Sequence, residues 1–475
     1  MKKILLIILL MFVISGCGAK KESNTLTIFA LNDFHGRIYD DNGGISKIGN
    51  YIIEEKNKRP DRTVVVASGD MFQGTAFSNL TEGEIVVDLM NEIGFDAMTI
   101  GNHEFDWGID KLIELKERAN FPFLSANIFT KEDSKLVNWA DPYTVVEKGG
   151  LKIGIIGLIG SKLTDSISPS IVEPYEFQQE LPIIKEYAKI LRNELDCTIV
   201  ILSVHDDTTS INQNIADLTG DEQIDAVFNG HTHNNYHGEI LGADGIMMPY
   251  VQSSSSGKFI GKITLELNEN SKVVNGSSYN VRVSSTLSSE NVKLNAIIDE
   301  YYEEFGPIID EVIGTSGKRI SNVDAQRWAA DVLKYYTDAD VAIINTGGIR
   351  ADAFPILDGQ AITFGKVWEI MPFDNVVKVA DMTVENLATV ANAGVQVSSN
   401  ASLRGGYLTI GEDTLDPNTV IRVATIDYLF DNPKYDLNKG TNVVDNNEIL
   451  RDYLIDYVRE ITAKGELFTA NRIYG

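Results

Sequence analysis

Five short polar clusters, each placed where an apolar and β-branched run ends, limit what this chain can fold into. Runs of this kind alternate with helical patterns from Thr25 to about Ser285, which predicts a layered α/β domain. In such domains the loops at the carboxyl ends of strands lie side by side, so we expect the clusters to converge on one crevice. The clusters are Asn32–Gly36, Ser68–Asp70, Gly101–Asp106, His205–Asp207 and Gly230–His233.

A length of 475 residues predicts two domains, and the apolar periodicity places a helical connector between them. We assign residues 25–285 to the first domain, 286–313 to the connector and 314–475 to a second, α+β domain. The connector pattern is amphipathic over Asn291–Ile313, with a break allowed at Gly306-Pro307. First-domain strands are predicted at Leu26–Leu31, Thr63–Ala67, Ala97–Ile100, Ile153–Ile159, Thr198–Ser203 and Ala226–Phe228.

Aspartate and histidine in the five clusters have the spacing and the chemistry of metal ligands. Asp33 and His35 are two residues apart, as are His231 and His233, so an extended loop directs both side chains of each pair to one side. Asp70 can bridge two ions through its two oxygens, and this donor set suits Zn²⁺, Mn²⁺ or iron. We predict that two divalent metal ions are held by Asp33, His35, Asp70, Asn102, His205, His231 and His233.

Five of the six histidines lie in these clusters. A single loop histidine is ordinarily held by hydrogen bonds alone, but five of them at strand exits indicate a shared chemistry. Paired ions promote in-line displacement at phosphorus by activating a water and polarising phosphoryl oxygens. We read His103 as a catalyst oriented and kept protonated by Asp106, although Asp106 could also cap the helix that begins near Trp107.

The N-terminal residues have the pattern of an exported lipoprotein. Met1-Lys2-Lys3 and the apolar run that follows match a signal peptide too short to span a bilayer comfortably. Cys17 ends a segment that resembles the bacterial lipoprotein box, so we expect residues 1–17 to contain the signal and the lipidated cysteine; an ordinary secretory signal is the alternative. Residues 18–24 form a polar tether. Cys197 is then expected to be a buried small hydrophobe.

The charge balance excludes one class of partner. The chain has 41 lysines and arginines against 68 acidic residues, a formal net charge of −27, with no basic patch in the sequence. Such a field repels polyanions, so a nucleic-acid polymer is not expected as a partner. A small anion remains compatible, because bound cations reverse the potential inside a cleft.

The clusters resemble the motifs of dinuclear metallophosphoesterases, and their order resembles that of the bacterial 5′-nucleotidase/UDP-sugar hydrolase family. The resemblance extends over nearly the whole chain after the tether. It implies a four-layer α/β/β/α first domain, a connecting helix and a C-terminal α+β substrate domain, and it matches His103 and Asp106 to the catalytic dyad. It also divides the ligands into Asp33, His35, Asp70 and His233 for one ion and Asp70, Asn102, His205 and His231 for the other.

The second domain contains a segment similar to the family's Asn-Gly-Gly-Gly-Ile-Arg sequence. Here it reads Asn-Thr-Gly-Gly-Ile-Arg over residues 345–350, which implies that Asn345 and Arg350 contact substrate. A guanidinium binds phosphate or carboxylate through two hydrogen bonds, although a Gly-Gly turn with a surface arginine is the simpler alternative. We assign Arg319 as a second arginine on the phosphate side.

Aromatic residues in the second domain resemble the family's base-binding positions. Phe373 and Asn375 match a segment that supplies one stacking ring and an asparagine, although a core phenylalanine in a turn is an alternative. Tyr428 matches the second ring. The family's Gly-Gly-Asp sequence near that ring is absent here, and Asp436 is our candidate for its carboxylate.

Three functions are compatible with this pattern. The leading one is hydrolysis of a phosphate ester outside the cell, with a nucleoside 5′-monophosphate as the expected substrate. A second keeps the metals but changes the bond, as in a nucleotide-sugar, cyclic-nucleotide or sulfur-ester hydrolase. The third is a lipoprotein that captures nucleotides without turnover; His103 argues against it, because a binding protein has no need of a general acid.

Overall fold

A computed structural model describes residues 24–39, 44–206 and 210–474 of the protein. The predicted signal, Cys17 and all but the last residue of the tether lie outside these ranges. None of the helices within them is long and apolar enough to cross a membrane. Cys197 is buried and makes no disulfide, as predicted.

The strands of the first domain are rich in valine, isoleucine and leucine, because most of them are covered on at least one face. Strand β2, for example, is buried along its whole length. In chain order the strands are β1 (Thr25–Leu31), β2 (Thr63–Ser68), β3 (Ala97–Thr99), β4 (Phe123–Leu124), β5 (Ile128–Thr130), β6 (Tyr143–Lys148), β7 (Leu151–Ile159), β8 (Tyr175–Phe177), β9 (Ile199–His205), β10 (Ala226–Asn229), β11 (Asn235–Leu241), β12 (Met247–Ser253), β13 (Phe259–Leu267) and β14 (Val273–Arg282).

Two six-stranded sheets pack face to face in this domain. One has the order β14-β13-β1-β2-β3-β4 and the other β11-β12-β10-β9-β7-β6. An apolar cluster that includes Ile28, Val66, Ile155 and Ile201 contains side chains from both sheets. Burial of these alternate side chains holds the sheets together.

Helices cover the outer face of each sheet, which completes the four layers and confirms the predicted fold class. The helices at residues 44–58, 84–93 and 108–118 bury apolar residues against the first sheet. The helices at residues 180–189 and 210–216 do so against the second sheet. The sequence pattern predicts a helix over Phe177–Glu194, but Phe177 ends a strand, and the α-helix covers only Glu180–Lys189 before a π-helical turn that reaches Glu194. The helices are α1 (Gly44–Lys58), α2 (Ala76–Leu80), α3 (Glu84–Ile93), α4 (Gly108–Arg118), α5 (Pro169–Val172), α6 (Glu180–Lys189), α7 (Ser210–Ala216) and α8 (Val283–Thr286).

The connector is a single helix, α9 (Val292–Ile309). The side chain of Asn291 caps its first turn by accepting hydrogen bonds from two backbone amides. Pro307 lies inside the helix, two residues before its end, so the break allowed at Gly306-Pro307 does not occur.

The second domain surrounds a five-stranded sheet of order β19-β16-β23-β18-β24, with α10 and α14 contributing to its apolar core. The sequence pattern predicts a helix over Val384–Gly394, but the α-helix there covers only Val384–Ala388. The elements are β15 (Val312–Thr315), α10 (Asn322–Thr337), β16 (Val341–Asn345), β17 (Ala361–Thr363), α11 (Phe364–Ile370), β18 (Val376–Thr383), α12 (Val384–Ala388), β19 (Val395–Val397), β20 (Ala401–Arg404), β21 (Tyr407–Ile410), β22 (Asp413–Thr414), β23 (Val420–Ile426), α13 (Asp427–Phe430), β24 (Thr441–Ile449) and α14 (Leu450–Ala463).

Candidate metal centre and adjoining cavity

The carboxyl ends of the central strands bring the predicted ligands together. Strands β1, β2 and β3 run parallel in one sheet, and β9 and β10 run parallel in the other, so the loops after them emerge at a common edge. The ligands lie there as follows: Asp33 and His35 after β1, Asp70 after β2, Asn102 after β3, His205 at the end of β9, and His231 and His233 after β10.

Asp33, His35 and His233 form the first of two ligand groups. Their candidate ligand atoms lie within 4.8 Å of one another. His35 Nε2 is 3.0 Å from His233 Nε2, and the latter is 3.4 Å from Asp33 Oδ1. Because Nδ1 of His35 donates to the Gln73 carbonyl at 2.9 Å, Nε2 carries the lone pair that a metal ligand requires.

Asp70, His205 and His231 form the second group, with Asn102 between the two imidazoles. Asn102 Oδ1 lies 3.2 Å from His205 Nε2 and 2.9 Å from His231 Nδ1, and Asp70 Oδ2 is 3.2 Å from His205 Nε2. His205 Nδ1 donates to the Ser68 carbonyl at 2.8 Å, which again leaves Nε2 as the ligand atom. Convergence of oxygen and nitrogen lone pairs at these distances fits a divalent cation.

Asp70 lies close to both groups. Besides its own group, it belongs to a cluster with His35 and His103 whose ligand atoms also lie within 4.8 Å of one another. This position is the one expected of a carboxylate that bridges two ions.

The surroundings of the centre lower the pKa of His35 and His233 and raise the pKa of His205. Burial, and after it the charge of Arg350, lower the pKa of His35 well below its usual range and that of His233 to about 4. Burial alone would also lower the pKa of His205, yet the Asp70 and Asp33 carboxylates overcome it and raise this pKa to about 10. The centre therefore combines neutral nitrogen donors with carboxylates that attract a cation.

The ligand loops hold their side chains in strained backbone conformations. Positive φ angles occur at Asp33 (49°), His35 (53°), Asp70 (55°), His231 (79°) and His233 (58°). Residues with side chains seldom adopt this left-handed region, and each such residue costs about 1–3 kcal/mol unless local bonds compensate. The surrounding sheets must therefore hold these loops in place.

His103 and Asp106 form the predicted dyad beside the metal centre. His103 Nδ1 is 2.8 Å from Asp106 Oδ2, and the backbone N–H of His103 donates to Asp70 Oδ1 at 2.9 Å. Burial disfavours the charged ring, but the carboxylates of Asp106 and Asp70 outweigh it and raise the pKa of His103. The N-cap residue of α4 is Trp107, not Asp106, and the Asp106 carboxylate is bonded to the histidine.

Glu104 supports the centre, although no sequence pattern indicated this role. Its buried carboxylate accepts hydrogen bonds from the backbone N–H groups of Asp70, Met71 and Gly101, at 2.7–2.8 Å. These bonds tie the loop after β2 to the loop after β3. An acidic residue next to His103 in the sequence would have been the only clue.

A cavity of about 360 Å³ lies between the metal centre and the second domain. Five of the predicted substrate residues line this cavity: Asn345, Arg350, Phe373, Asn375 and Tyr428. Asn102, His103, Asp106 and His231 line it from the first domain, together with Gln73, Trp107 and Ser166, which the sequence did not single out.

Two sequence-based assignments are not brought to this cavity. Arg319 is exposed and does not line it. Asp436 also lies elsewhere, where it pairs with Lys439. The second-domain carboxylates that do line the cavity are Asp374 and Asp427, and Asp427 accepts a hydrogen bond from Asn375 Nδ2 at 3.1 Å.

Phe373 packs against both sides of the site. Its ring stacks on the His103 ring, with centroids 5.6 Å apart, and the Arg350 guanidinium lies 5.7 Å from its centroid. Gln73 and Asn79 of the first domain donate to the carbonyl of the preceding Pro372 at 2.9 and 2.7 Å. The second domain is thus hydrogen-bonded directly to the loop that follows the metal ligands.

Comparisons with known proteins agree with this architecture. Residues 26–235 match the model of the calcineurin-like phosphoesterase domain, and residues 311–436 match that of the 5′-nucleotidase C-terminal domain. Endonuclease YhcR of Bacillus subtilis is 28% identical over 79% of this chain, which spans only 33% of that relative. The 5′-nucleotidase of Vibrio cholerae is 25% identical over 90% of both chains.

The fold also matches solved structures. The 5′-nucleotidase precursor from Thermus thermophilus superposes with a TM-score of 0.78 over 92% of this chain and 96% of its own, at 21% identity. The two matched domain models follow one another in the predicted order. The protein therefore belongs to the family that joins a calcineurin-like phosphoesterase domain, which uses two divalent metal ions, to a 5′-nucleotidase C-terminal domain.

Proposed function

We propose that this protein hydrolyses phosphate monoesters, with nucleoside 5′-monophosphates as its main substrates. The observation that carries the proposal is the shared cavity, in which metal ligands and the His103–Asp106 dyad face an arginine and two aromatic residues of the second domain. Its volume lies in the range of small-molecule sites. A phosphate at the metals would leave the rest of a nucleotide facing Phe373 and Tyr428.

The chemistry at phosphorus divides between the metals and the dyad. Two divalent ions, when held by the seven ligands, supply a water of lowered pKa and polarise phosphoryl oxygens. Asp106 holds the His103 ring through Nδ1, so Nε2 is the atom that can carry a proton toward substrate. That proton stabilises negative charge on a phosphoryl oxygen or passes to the leaving oxygen.

Groups from both domains support substrate positioning. The Arg350 guanidinium offers paired donors for phosphate oxygens. Asn345 Oδ1 and Gln73 Oε1 are buried and have no hydrogen-bond partner among residues 24–39, 44–206 and 210–474. Both residues line the cavity, and a buried acceptor without a partner is costly, so each favours a ligand that donates a hydrogen bond.

A substrate panel tests the proposed reaction. With Zn²⁺ or Mn²⁺ added, the tether-less protein is expected to release phosphate from AMP faster than from a UDP-sugar, a 2′,3′-cyclic nucleotide or p-nitrophenyl phosphate, and chelation should abolish release. Preferential cleavage of the UDP-sugar or the cyclic nucleotide would replace the substrate assignment. Binding of AMP without turnover of any ester would refute the catalytic proposal.

Replacing Arg350 with alanine is expected to raise KM for AMP by about 10–100-fold, because charged hydrogen bonds contribute roughly 1.5–3 kcal/mol. Metal content should stay at the wild-type value. Arg319→Ala is the matched control, since this arginine is exposed and lies outside the cavity. A wild-type KM in Arg350→Ala would remove Arg350 from substrate binding. A raised KM confined to Arg319→Ala would restore our assignment of Arg319 to the phosphate side.

We also propose that the protein is exported and anchored by a lipid on Cys17. The support is the sequence pattern alone: a charged start, a short apolar run and a cysteine at the expected cleavage position. Mass spectrometry of the mature N-terminal peptide tests this directly. A lipid-modified Cys17 as the first residue is expected, and an unmodified cysteine would favour an ordinary secretory signal.

A further inference from the structure

A second cavity, of about 460 Å³, lies within the second domain. Helix α10, strands β19 and β20 and the C-terminal segment contribute its lining. It shares no lining residue with the catalytic cavity. Its volume is also in the range of small-molecule sites.

Three arginines line this cavity, and no acidic residue does. They are Arg327 on α10, Arg404 at the end of β20 and Arg472 near the C-terminus. The protein as a whole has 68 acidic residues against 41 basic ones, so the charge of this lining is opposite to that of the chain. One of the three, Arg327, is paired with Asp324, so the lining as a whole carries a net positive charge that a bound anion would offset.

The three arginines differ in their surroundings, because Arg327 is half-buried and Arg404 and Arg472 are exposed. Arg327 donates from Nη2 to Asp324 at 2.7 Å, but its Nε is buried and has no partner in the described part of the chain. Asp324 is already engaged in capping α10, where its other oxygen accepts from Ser321. Within the same residues, Arg404 and Arg472 form no ion pair, whereas seven of the fourteen arginines of the sequence do.

The chain fixes this site in place. The buried carboxylate of Asp331 accepts hydrogen bonds from the backbone and hydroxyl of Ser399 and from the backbone N–H of Ile473. The C-terminal segment is thereby held against the loop after β19, which positions Arg472 at the cavity. Val395 and Leu403 add apolar surface to the lining.

We propose that this cavity binds a small phosphate-bearing anion, independently of the metal centre. Guanidinium groups bind phosphate through paired, charge-assisted hydrogen bonds, and several of them at one site favour a multiply charged group. The ligand is either free inorganic phosphate or a phosphate ester whose organic part contacts the apolar residues. The proposal does not depend on the reaction assigned to the other cavity.

Calorimetric titration of the metal-loaded protein with inorganic phosphate at fixed ionic strength tests the proposal. Two classes of site are expected. The double variant Arg404→Gln/Arg472→Gln should lose at least tenfold in affinity at one class and keep AMP hydrolysis within twofold of wild type. Arg350→Ala should weaken only the other class. Lys58→Gln/Lys272→Gln, which removes two exposed charges from the first domain, is the matched control and should change neither.

A second arm distinguishes the two sources of phosphate. A non-hydrolysable phosphonate analogue of AMP that binds the arginine site more tightly than phosphate would identify an ester as the ligand; equal or weaker binding would identify free phosphate. A single class of phosphate site that Arg404→Gln/Arg472→Gln leaves unchanged would overturn the proposal. So would an equal loss of affinity in the lysine control, because the effect would then come from net charge alone.

Discussion

Asp70→Asn is expected to lower kcat for AMP by at least about 10³-fold and to reduce the bound metal below two ions per chain. Asp70 lies at the junction of the two ligand groups, and asparagine keeps its shape while removing the charge and one ligand oxygen. Loss of roughly 4 kcal/mol of metal-derived stabilisation corresponds to this rate effect. Metal analysis by mass spectrometry and initial-rate kinetics provide the two measurements.

Asp110→Asn is the matched control, because it removes an exposed aspartate from the first turn of α4. It should keep wild-type metal content and rate. The bridging assignment would be wrong if Asp70→Asn kept two tightly bound ions. Thermal unfolding of both variants separates loss of metal from loss of the fold.

His103→Ala is expected to lower kcat by about 10²–10⁴-fold, the usual contribution of a positioned acid or base, with metal content near that of wild type. Its Nδ1 is held by Asp106, and its ring borders the cavity rather than completing a ligand group with His205 and His231. Asp106→Asn should produce a smaller loss of kcat, because the ring stays but its orientation and proton are less well stabilised.

His237→Ala is the control for this variant, since His237 is the histidine outside the five clusters and contacts Tyr279 on β14. It should leave turnover unchanged. A fall in metal content in His103→Ala, matching the fall in rate, would make His103 a metal ligand. That outcome would contradict the dyad, and the cluster of His35, Asp70 and His103 would then be the third candidate ligand group.

Much of the fold could be predicted because its signals are local. The β-branched runs that predict β1, β2, β9 and β10 are buried strands in the structure, since a sheet covered on both faces needs apolar residues at every position. Errors occurred where tertiary packing decided the element. Phe177 pairs with Ile128 in a two-stranded sheet, although its surroundings in the sequence are typical of a helix.

The substrate side was less predictable than the metal side. Arg350 and Phe373 lie at the cavity, but Arg319 does not, because it precedes α10 on the surface. Asp427, which begins α13, lines the cavity, and Asp436 does not. The position of a residue relative to a motif in the sequence does not determine where its side chain lies in the fold. For this reason our candidate Asp436 does not face the cavity, whereas Asp427 does.

The amino-acid pattern was sufficient to predict the kind of chemistry. Histidine, aspartate and asparagine at five strand exits predict paired metals because the carboxyl ends of parallel strands share one edge, and this holds before any coordinates are known.

How those loops are held, and which groups they face, depends on contacts between residues that are far apart in the chain. Glu104 ties two ligand loops through three backbone N–H groups, and Pro372 bonds to the first domain, both through contacts between residues that no sequence pattern connects. The three arginines around the second cavity are likewise separated along the chain and meet only because α10, β20 and the C-terminal segment pack together. Such contacts depend on how distant elements pack, and the secondary-structure propensity of each segment does not predict them.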